Sequence, residues 1–460
     1  MKVNRIQIRN LAIIIGTITL AYLLVSLYFT RHFFFCTVIN GVKLGGKSYE
    51  DAEQIIKEQV DNYELRIIGR DGITDVIKGR DIGLHYNEQN SIPKIYNMQK
   101  SFLWISPLFS EQCYFVTDLY QYQEKLLEKV LDNLSVFNAE FVEPRNVSFK
   151  FVKGSYIIIE EVYGNTIIKD RFINEVNNSI LKGNTSLYLD KKNCYLNPKY
   201  TINSSKTETV KNLLNKLITT KIIYDIGDQT EVLDGNEIHK WLKVDENLDV
   251  IINEAAVTNY LRKICRKYDT VGKTRKFRTS NGIDLEVQGG LYGWKIDEEE
   301  ETKALLENIK SGEIIEREPI YSQKARQQGD DDIGNTYVEI NITRQHLWFY
   351  KDGELIAQGS VVTGNPNRGY GTVTGTYMLN YKQKDAILVG PGYEADVTYW
   401  MPFFGDIGIH DASWRYSFGG EIYKSRGSHG CVNAPLHLAR KIFDNIEAGV
   451  PVISYEEASD

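Results

Sequence analysis

A stretch without a charged residue, LAIIIGTITLAYLLVSLYF at positions 11–29, most limits how this chain can fold. Inside a bilayer every backbone amide and carbonyl must find a partner within the chain, so such a stretch crosses a membrane as a helix. At about 1.5 Å per residue it nearly spans a hydrocarbon core of about 30 Å. A cleavable signal peptide is the alternative, but it needs a small-x-small cleavage site, and residues 33–36 read Phe-Phe-Phe-Cys. We therefore predict an uncleaved transmembrane anchor at 11–31.

Positive charges predict the orientation of this anchor. Lys2, Arg5 and Arg9 precede the apolar stretch, and Arg31 follows it. Because basic residues accumulate on the cytoplasmic side, residues 1–10 are expected to form a cytoplasmic tail. The chain after about residue 36 would then lie outside the cell, in a single-pass protein of the cell membrane.

Composition bounds the remainder of the chain. Its 460 residues favour two to four domains, and 42% hydrophobic with 12% aromatic residues can form packed cores. A net charge of −7 without a basic run beyond the first residues argues against nucleic acid as a partner. The five cysteines cannot all pair internally, so disulfides are not the main support of the fold.

The middle of the chain carries a diverged internal repeat. The sequence VIKGRDI at 76–82 returns as VLDGNEI at 232–238. A helix, a Tyr-Gly segment and a second helix ended by a glycine follow in each copy. These predicted elements lie at 119–134, 163–167 and 172–180, with Gly183 after them, and at 254–268, 292–296 and 305–309, with Gly312 after them. We predict two α+β domains, at 38–190 and 205–320.

Nothing in these two domains suggests chemistry. His85 and His239 each stand alone, and a lone histidine is more often structural or exposed than functional. The polar segment SQKARQQGDDDIGN at 322–335 has no periodicity and is predicted to be a linker.

A mostly-β domain is predicted at 336–456. Residues 337–342 alternate between apolar and polar types, as in a half-buried strand, and an Asp-Gly pair at 352–353 between two apolar runs predicts a hairpin. One helix is expected after Pro435 and before Gly449. The patterns predict a small β-sandwich or open barrel with one long helix.

A cysteine follows a glycine at positions 428–433, which read Ser-His-Gly-Cys-Val-Asn, and a His-Asp pair lies at 410–411. A thiol nucleophile needs a neighbouring base or cation, and backbone N–H groups for a developing oxyanion. Gly430 allows a tight backbone turn because it has no Cβ. Two other interpretations stay open from spacing alone. The cysteine could be a zinc ligand, although the chain has no Cys-x-x-Cys pair, or a buried structural residue.

The residues around this cysteine resemble the active-site signature of the L,D-transpeptidases, the YkuD family. They read IHDASWR at 409–415, FGG at 418–420 and SHGCVNAP at 428–435. That family cross-links bacterial peptidoglycan through a catalytic cysteine, and the resemblance covers about residues 335–455. Many members have arginine at the position of Asn433, although asparagine is also common there.

The two α+β domains resemble the peptidoglycan-binding domains that precede the catalytic domain in some Gram-positive members. Their shared motifs are short and mostly structural. Wall binding and a spacer role, which would hold the enzyme at a set distance from the membrane, are both open.

The resemblance also implies roles for the signature residues. Cys431 is the nucleophile, and His410 is the base that takes the thiol proton and later returns one to the leaving amine. The backbone carbonyl of Asp411 orients His410, with the Asp411 carboxylate as an alternative orienting group. His429 supports the loop, and the amides of Gly430 and Cys431 form the oxyanion hole.

Candidate substrate contacts follow from the same resemblance. They are Ser428, Asn433, Trp414, Tyr399 and Trp400. The alternative for the aromatic residues is core packing. It applies above all to Tyr399 and Trp400, which lie outside the motif.

The implied reaction is peptide acyl transfer in two steps. A donor stem peptide loses its terminal D-Ala to form an acyl-enzyme, and an amine on a neighbouring stem resolves it as a 3→3 cross-link. If water resolves it, the chain is an L,D-carboxypeptidase, and a non-catalytic wall-binding protein is a further alternative. The expected partners are peptidoglycan stem peptides and the membrane, with carbapenems as covalent inhibitors. No metal or organic cofactor is implied, and a live cysteine is expected to react with electrophiles faster than free cysteine.

Overall fold

The computed structural model of this chain describes residues 5–110, 112–329, 331–390 and 393–457. The chain forms two compact units, Met1–Ser148 with Ile158–Thr207, and Phe149–Ile157 with Glu208–Asp460. The elements up to residue 188 are α1 (Arg5–Tyr28), β1 (Thr37–Ile39), β2 (Val42–Lys43), α2 (Tyr49–Asp61), β3 (Glu64–Ile68), β4 (Thr74–Lys78), β5 (His85–Tyr86), α3 (Ile92–Met98), β6 (Gln112–Tyr114), β7 (Tyr120–Gln121), α4 (Glu124–Leu131), α5 (Ser135–Asn138), β8 (Ser148–Val152), β9 (Ser155–Ile159), α6 (Lys169–Leu181) and β10 (Ser186–Tyr188).

The elements after residue 200 fall into two groups. Those up to residue 323 are α7 (Ser205–Leu217), β11 (Lys221–Ile226), β12 (Gln229–Leu233), α8 (Gly235–Ile238), β13 (Leu242–Val244), β14 (Val250–Ile252), α9 (Glu254–Tyr268), β15 (Arg275–Arg278), β16 (Asp284–Val287), β17 (Lys295–Ile296), α10 (Glu298–Ser311), β18 (Ile314–Arg317) and β19 (Tyr321–Gln323). Those that follow are β20 (Tyr337–Asn341), β21 (His346–Lys351), β22 (Glu354–Ser360), β23 (Gly375–Met378), β24 (Gln383–Gly390), β25 (Tyr393–Phe404), β26 (Ile407–Asp411), α11 (Ile422–Arg426), β27 (Val432–Ala434), α12 (Leu436–Asn445) and β28 (Pro451–Tyr455).

The N-terminal apolar helix is present. In the part of the chain that the structure describes, Ile6–Tyr28 is the one helix long and apolar enough to cross a membrane, with 23 residues and a mean hydropathy of 2.2. It begins at Arg5, inside the predicted cytoplasmic tail, and residues 1–4 of that tail lie outside the described residues. Its orientation across a membrane stays a prediction.

The predicted repeat appears as two sheets of the same topology. In the first copy β3 pairs antiparallel with β4 and parallel with β10, and in the second β11 pairs antiparallel with β12 and parallel with β18. A helix precedes the final strand in both copies, and its apolar face is buried, as the spacing of Phe172, Val176 and Ile180 in α6 predicts. Gly312 ends α10 in the left-handed region, with a φ of 77°.

One predicted helix is shorter than expected. The pattern at 119–134 forms a helix only over α4, because Tyr120 is buried in strand β7 and pairs with Tyr86 of β5. In the second copy α9 occupies 254–268 as predicted, and the Asn253 side chain caps it by accepting from the amide of Ala256.

The C-terminal domain is two packed sheets with one long helix. One sheet has the strand order β22-β21-β20-β28-β23, and the other has β24-β25-β26-β27. Apolar residues of both sheets and of α12 share one core, including Phe349, Met401, Val432 and Ile442. The predicted β-rich class is confirmed. The helix ends at Asn445, four residues before Gly449.

The segment predicted as a linker is held within the second unit by strand pairing and a buried ion pair. Strand β19 pairs with β17, and further along the segment Asp332 accepts two 2.7 Å hydrogen bonds from the Arg275 guanidinium, with both side chains buried. Polar composition suggested a solvated connection, yet a buried ion pair uses the same residue types.

Candidate active site

Two parallel strands bring the candidate residues together. In the register of β26 and β27, Ile409 lies beside Val432 and His410 beside Asn433. Because side chains alternate across a strand, the buried Ile409 and Val432 face the core while His410 and Asn433 face the other side. Cys431 comes directly before Val432 and therefore shares the face of Asn433.

A chain of hydrogen bonds fixes the tautomer of His410. The Arg415 Nε donates to the Asn433 Oδ1 at 2.7 Å. A guanidinium only donates, so the amide nitrogen of Asn433 must face the other way, where its Nδ2 lies 3.0 Å from the His410 Nε2. Since an amide nitrogen also only donates, the His410 Nε2 is unprotonated. The His410 Nδ1 carries the proton and donates it to the Asp411 carbonyl oxygen at 2.8 Å.

Burial keeps this imidazole neutral. The His410 side chain is almost fully enclosed, and this desolvation lowers the pKa of His410 below its ordinary value. The hydrogen bond to the Asp411 carbonyl opposes the shift, and the charge of Arg415 adds to it. At neutral pH the Nε2 is therefore unprotonated, and its lone pair accepts from the Asn433 amide in this state.

The Cys431 thiol is buried and protonated in this state. Its side chain is 9% exposed, and its Sγ donates to the Asp406 carbonyl oxygen at 3.4 Å. Burial raises the pKa of Cys431 to about 11, and the Asp406 charge contributes, although a hydrogen bond from the Gly408 amide opposes the shift. This burial disfavours the fast reaction with electrophiles that the motif led us to expect, and alkylation rates can test that expectation.

The cysteine loop is held by its own side chains. Gly430 has a φ of 123°, which an L-residue with a Cβ rarely adopts. Its amide donates to the Ser428 Oγ at 3.1 Å, and its carbonyl accepts from the Thr372 Oγ1 at 2.6 Å. The Ser428 Oγ in turn donates to the Cys431 carbonyl. The Gly430 amide, which the resemblance assigns to the oxyanion hole, is thus engaged by Ser428 here.

The Asp411 carboxylate does not face His410. One of its oxygens accepts from the Tyr399 amide at 2.7 Å and ties β26 to β25. The backbone carbonyl of Asp411 is the group that contacts the imidazole, as the resemblance implied. His429 lies with its ring edge-on to Tyr370, at 4.6 Å between ring centroids.

Six of the predicted site residues line one cavity of about 570 Å³. They are His410, Trp414, Ser428, His429, Cys431 and Asn433. Arg415 lines it as well, and so do two acidic residues of β25, Glu394 and Asp396. The cavity therefore combines a thiol, a basic imidazole nitrogen and an acidic wall.

Tyr399 and Trp400 do not line this cavity. Tyr399 packs against Phe443 of α12 in the core, with 5.1 Å between ring centroids. Trp400 packs behind the nucleophile, in a cluster with Cys431, Ala386 and Val397. Both side chains are buried, but as neighbours on β25 they point to opposite faces. Tyr399 enters the main core, and Trp400 lies on the face of His410, with 5.8 Å between ring centroids.

The zinc interpretation has no ligand set among the described residues. Over these ranges, no group of three or more His, Cys, Asp or Glu side chains is placed to hold a metal ion.

Comparisons with known proteins identify relatives of both kinds of domain. The L,D-transpeptidase catalytic domain of the YkuD family matches residues 335–453, and the peptidoglycan-binding domain family matches 76–187 and 200–314. A cysteine-to-serine mutant of the Enterococcus faecium L,D-transpeptidase is 32% identical, over 53% of this chain and 98% of that one, with a TM-score of 0.44. This chain belongs to the L,D-transpeptidase family.

Two further similar structures are covalent adducts. The Ldtfm-avibactam carbamoyl enzyme is 31% identical, over 55% of this chain and 99% of that one, with a TM-score of 0.45. The E. faecium L,D-transpeptidase catalytic domain acylated by ertapenem is 38% identical, over 26% of this chain and 97% of that one, with a TM-score of 0.25. No curated protein matches the chain.

Three features of this L,D-transpeptidase site have no signal in the sequence. Arg415 lies inside the motif, but its contact with Asn433 depends on strand pairing. The buried Thr372, far upstream, holds the Gly430 carbonyl. The acidic wall comes from the alternating residues Glu394 and Asp396 of β25, a pattern typical of any exposed strand face.

Proposed function

We propose that this L,D-transpeptidase forms 3→3 cross-links through a thioester at Cys431. The observation that supports this proposal is the hydrogen-bonded series from Arg415 through Asn433 to His410. It leaves a basic imidazole nitrogen in the cavity that also holds the thiol. An unprotonated imidazole can act as general base for a nucleophile that is a neutral thiol before the attack.

In the first step Cys431 turns from the Asp406 carbonyl toward His410, and its proton passes to the imidazole Nε2. The sulfur bonds to the carbonyl carbon of the third residue of a donor stem. The bond from that carbon to the nitrogen of the terminal D-Ala breaks, and the imidazolium returns its proton to that nitrogen. D-Ala leaves, and the donor remains as a thioester.

Backbone amides are the proposed oxyanion donors in this step. The Cys431 amide lies next to the attacking sulfur, and the Gly430 amide can join it once it leaves the Ser428 hydroxyl. In other acyl-transfer enzymes, losing one such donor costs about 2.7–4 kcal/mol. Ser428 is thus proposed to hold the loop between turnovers and to release it when substrate binds.

In the second step an amine of a neighbouring stem attacks the thioester. His410 takes a proton from the attacking amine, the carbon–sulfur bond breaks, and the sulfur recovers a proton. Glu394 and Asp396 on the cavity wall attract an ammonium group, which loses one proton to solvent before its nitrogen attacks. This acidic wall supports amine transfer over hydrolysis as the main outcome.

The proposed location is the outer face of the cell membrane. The N-terminal helix anchors the chain with its N-terminus in the cytoplasm, and the two repeat domains bind wall material or act as spacers. Carbapenems are proposed to acylate Cys431 by the same first step, with the lactam nitrogen as leaving group.

Mass spectrometry of reaction products tests this proposal. The purified chain, mixed with a disaccharide-tetrapeptide, should yield a dimer lacking one D-Ala, with the link between third residues. Release of D-Ala without dimer would instead identify an L,D-carboxypeptidase. Cys431→Ala should abolish both products, while the matched Cys265→Ala, a half-buried cysteine of α9, should retain them.

A further inference from the structure

An uncharged segment of the first unit exposes large apolar side chains. Residues 101–110 read SFLWISPLFS and form two short 3₁₀ turns, Ser101–Leu103 and Ser106–Phe109. Phe102, Leu103 and Phe109 are 56%, 50% and 86% exposed, and Ile105 and Leu108 are exposed as well. Contiguous exposure of this kind in a folded domain marks an interaction surface. We call residues 101–109 the apolar loop.

The apolar loop packs against the C-terminal part of α1. The Tyr22 hydroxyl donates to the Phe102 carbonyl. The Trp104 ring lies 5.8 Å from the Tyr22 ring and 6.2 Å from the Phe29 ring, between centroids. Ser26 and Phe29 are buried, whereas the neighbouring Leu23, Leu24 and Leu27 are exposed. The apolar loop therefore covers one face of α1 and leaves its other faces exposed.

The position of this contact along α1 indicates how deep the apolar loop would lie in a membrane that α1 crosses. Tyr22 lies six residues before Tyr28, the last residue of α1, and at 1.5 Å per residue this is about 9 Å. The whole span Ile6–Tyr28 is about 34 Å long, close to a hydrocarbon core of about 30 Å. If α1 crosses a bilayer, the loop beside Tyr22 lies below the outer surface of the hydrocarbon.

We propose that the apolar loop inserts into the outer leaflet of the membrane beside α1. Lipid chains are the partner, because the loop is continuous with a helix whose other faces require the same surroundings. The 3₁₀ turns pair part of its backbone, with the Leu103 amide donating to the Lys100 carbonyl and the Leu108 amide to that of Ile105.

Charged residues at the edge of the loop agree with this arrangement. Lys100 directly precedes the loop, and Arg31 lies three residues past the end of α1; both side chains are exposed. Both are placed to meet anionic phosphates. The inference rests on the proposed membrane anchor and adds a second contact, which would hold the first unit against the membrane surface instead of leaving it on a single helix.

Depth-dependent quenching tests the inference on the full-length chain. The chain is reconstituted in vesicles of phosphatidylcholine and phosphatidylglycerol, with an environment-sensitive fluorescent amino acid introduced by stop-codon suppression at residue 103 or 109. Position 20 in α1 serves as the membrane control, and the exposed Phe141 of the same unit as the matched aqueous control. A far-ultraviolet circular dichroism spectrum like that of the wild type verifies that each variant is folded.

Brominated lipid should quench the fluorophore at 20, 103 and 109 several-fold more than aqueous iodide does, and the order should reverse at 141. If position 20 is quenched by lipid while 103 and 109 behave like 141, the helix is an anchor and the loop proposal is overturned. Protection of 103 and 109 from both quenchers would mean that a second copy of the chain covers the loop, which also overturns it. Absence of lipid quenching at 20 would overturn the anchor itself.

Discussion

The Asn433 Nδ2 lies 3.0 Å from the His410 Nε2, and this contact determines which imidazole nitrogen is basic. The amide can take only this orientation because Arg415 donates to its oxygen. Many relatives are expected to have arginine at this position. In this chain Asn433 is there instead, and Arg415 fixes the orientation of its amide toward His410. The pair therefore gives a direct route to test the proposed mechanism.

Replacing Asn433 by aspartate should raise the pH needed for acylation. The carboxylate accepts from Arg415 but cannot donate to the His410 Nε2, and its charge favours the imidazolium, so the pKa of His410 rises. We expect the acidic limb of the carbapenem acylation rate to move upward by about one pH unit. Stopped-flow rates against pH measure this, with Asn445→Asp on α12 as the control. An unchanged limb would show that Asn433 does not act on the base.

The two histidines of the signature should differ in their effects. His410→Ala removes the proton acceptor and should slow acylation about 100- to 10,000-fold. His429→Ala should slow it less, and the exposed His437→Ala on α12 should leave it unchanged. Because the pKa of His410 is lowered, the wild-type base stays deprotonated at neutral pH, and acylation should fall only when the pH drops below about 6.5. A larger loss in His429→Ala than in His410→Ala would reverse the assignment of the base.

Cys431 should react slowly with simple alkylating reagents. With its pKa raised to about 11, the thiolate fraction at neutral pH is about two orders of magnitude below that of free cysteine. Iodoacetamide should modify Cys431 more slowly than free cysteine, and the rate should climb through the alkaline range. Carbapenem acylation should remain fast at pH 7, because His410 takes the proton during attack. Rapid alkylation that titrates near neutrality would instead indicate a resting thiolate–imidazolium pair.

Gly430→Ala should reduce both stability and acylation. A φ of 123° strains any residue with a Cβ by about 1–3 kcal/mol, and the added carbon would meet the Ile407 side chain at 3.1 Å. Gly369→Ala is a matched control, since its φ of 76° is also positive while no atom lies within 4 Å of the added carbon. Thermal melts should fall for both variants, but acylation only for Gly430→Ala. Equal acylation rates would exclude a need for the Gly430 backbone geometry.

Neutralising the acidic wall should weaken acceptor binding alone. Glu394→Gln with Asp396→Asn should raise the KM for a cationic amine acceptor, because the attraction is lost. Carbapenem acylation, which uses no acceptor, should not change. Asp385→Asn, exposed on the neighbouring β24, serves as the control. If KM stays the same and hydrolysis does not increase, the wall has no part in acceptor choice.

Most of the fold could be predicted from local sequence patterns. The hairpin at Asp352-Gly353 needs only two residues that accept positive φ, and both have it, at 51° and 84°. The helix at 254–268 needs only apolar spacing and a cap. The helix predicted at 119–134 was partly wrong because Tyr120 pairs with a strand more than 30 residues upstream, and no local pattern contains that partner.

The same distinction applies to the site. The motif was sufficient to expect His410 near Cys431 and the Asp411 carbonyl against the imidazole. It could not predict that Tyr399 and Trp400 are both buried and do not line the cavity, because the direction of their side chains depends on how β25 pairs. Nor could it reveal the neutral thiol, since burial of Cys431 results from packing by Trp400 and its neighbours.

The second repeat is hydrogen-bonded to the catalytic domain, and this contact limits where the chain can be truncated. Glu339 in β20 is fully buried and accepts from the Ser280 hydroxyl of the repeat and from the Tyr455 hydroxyl. A fragment beginning at 336 would leave this carboxylate with one of those partners missing, and an unpaired buried charge is strongly destabilising. A soluble fragment for inhibitor screening should therefore retain the second repeat together with Phe149–Ile157, which belongs to the same compact unit as the active site.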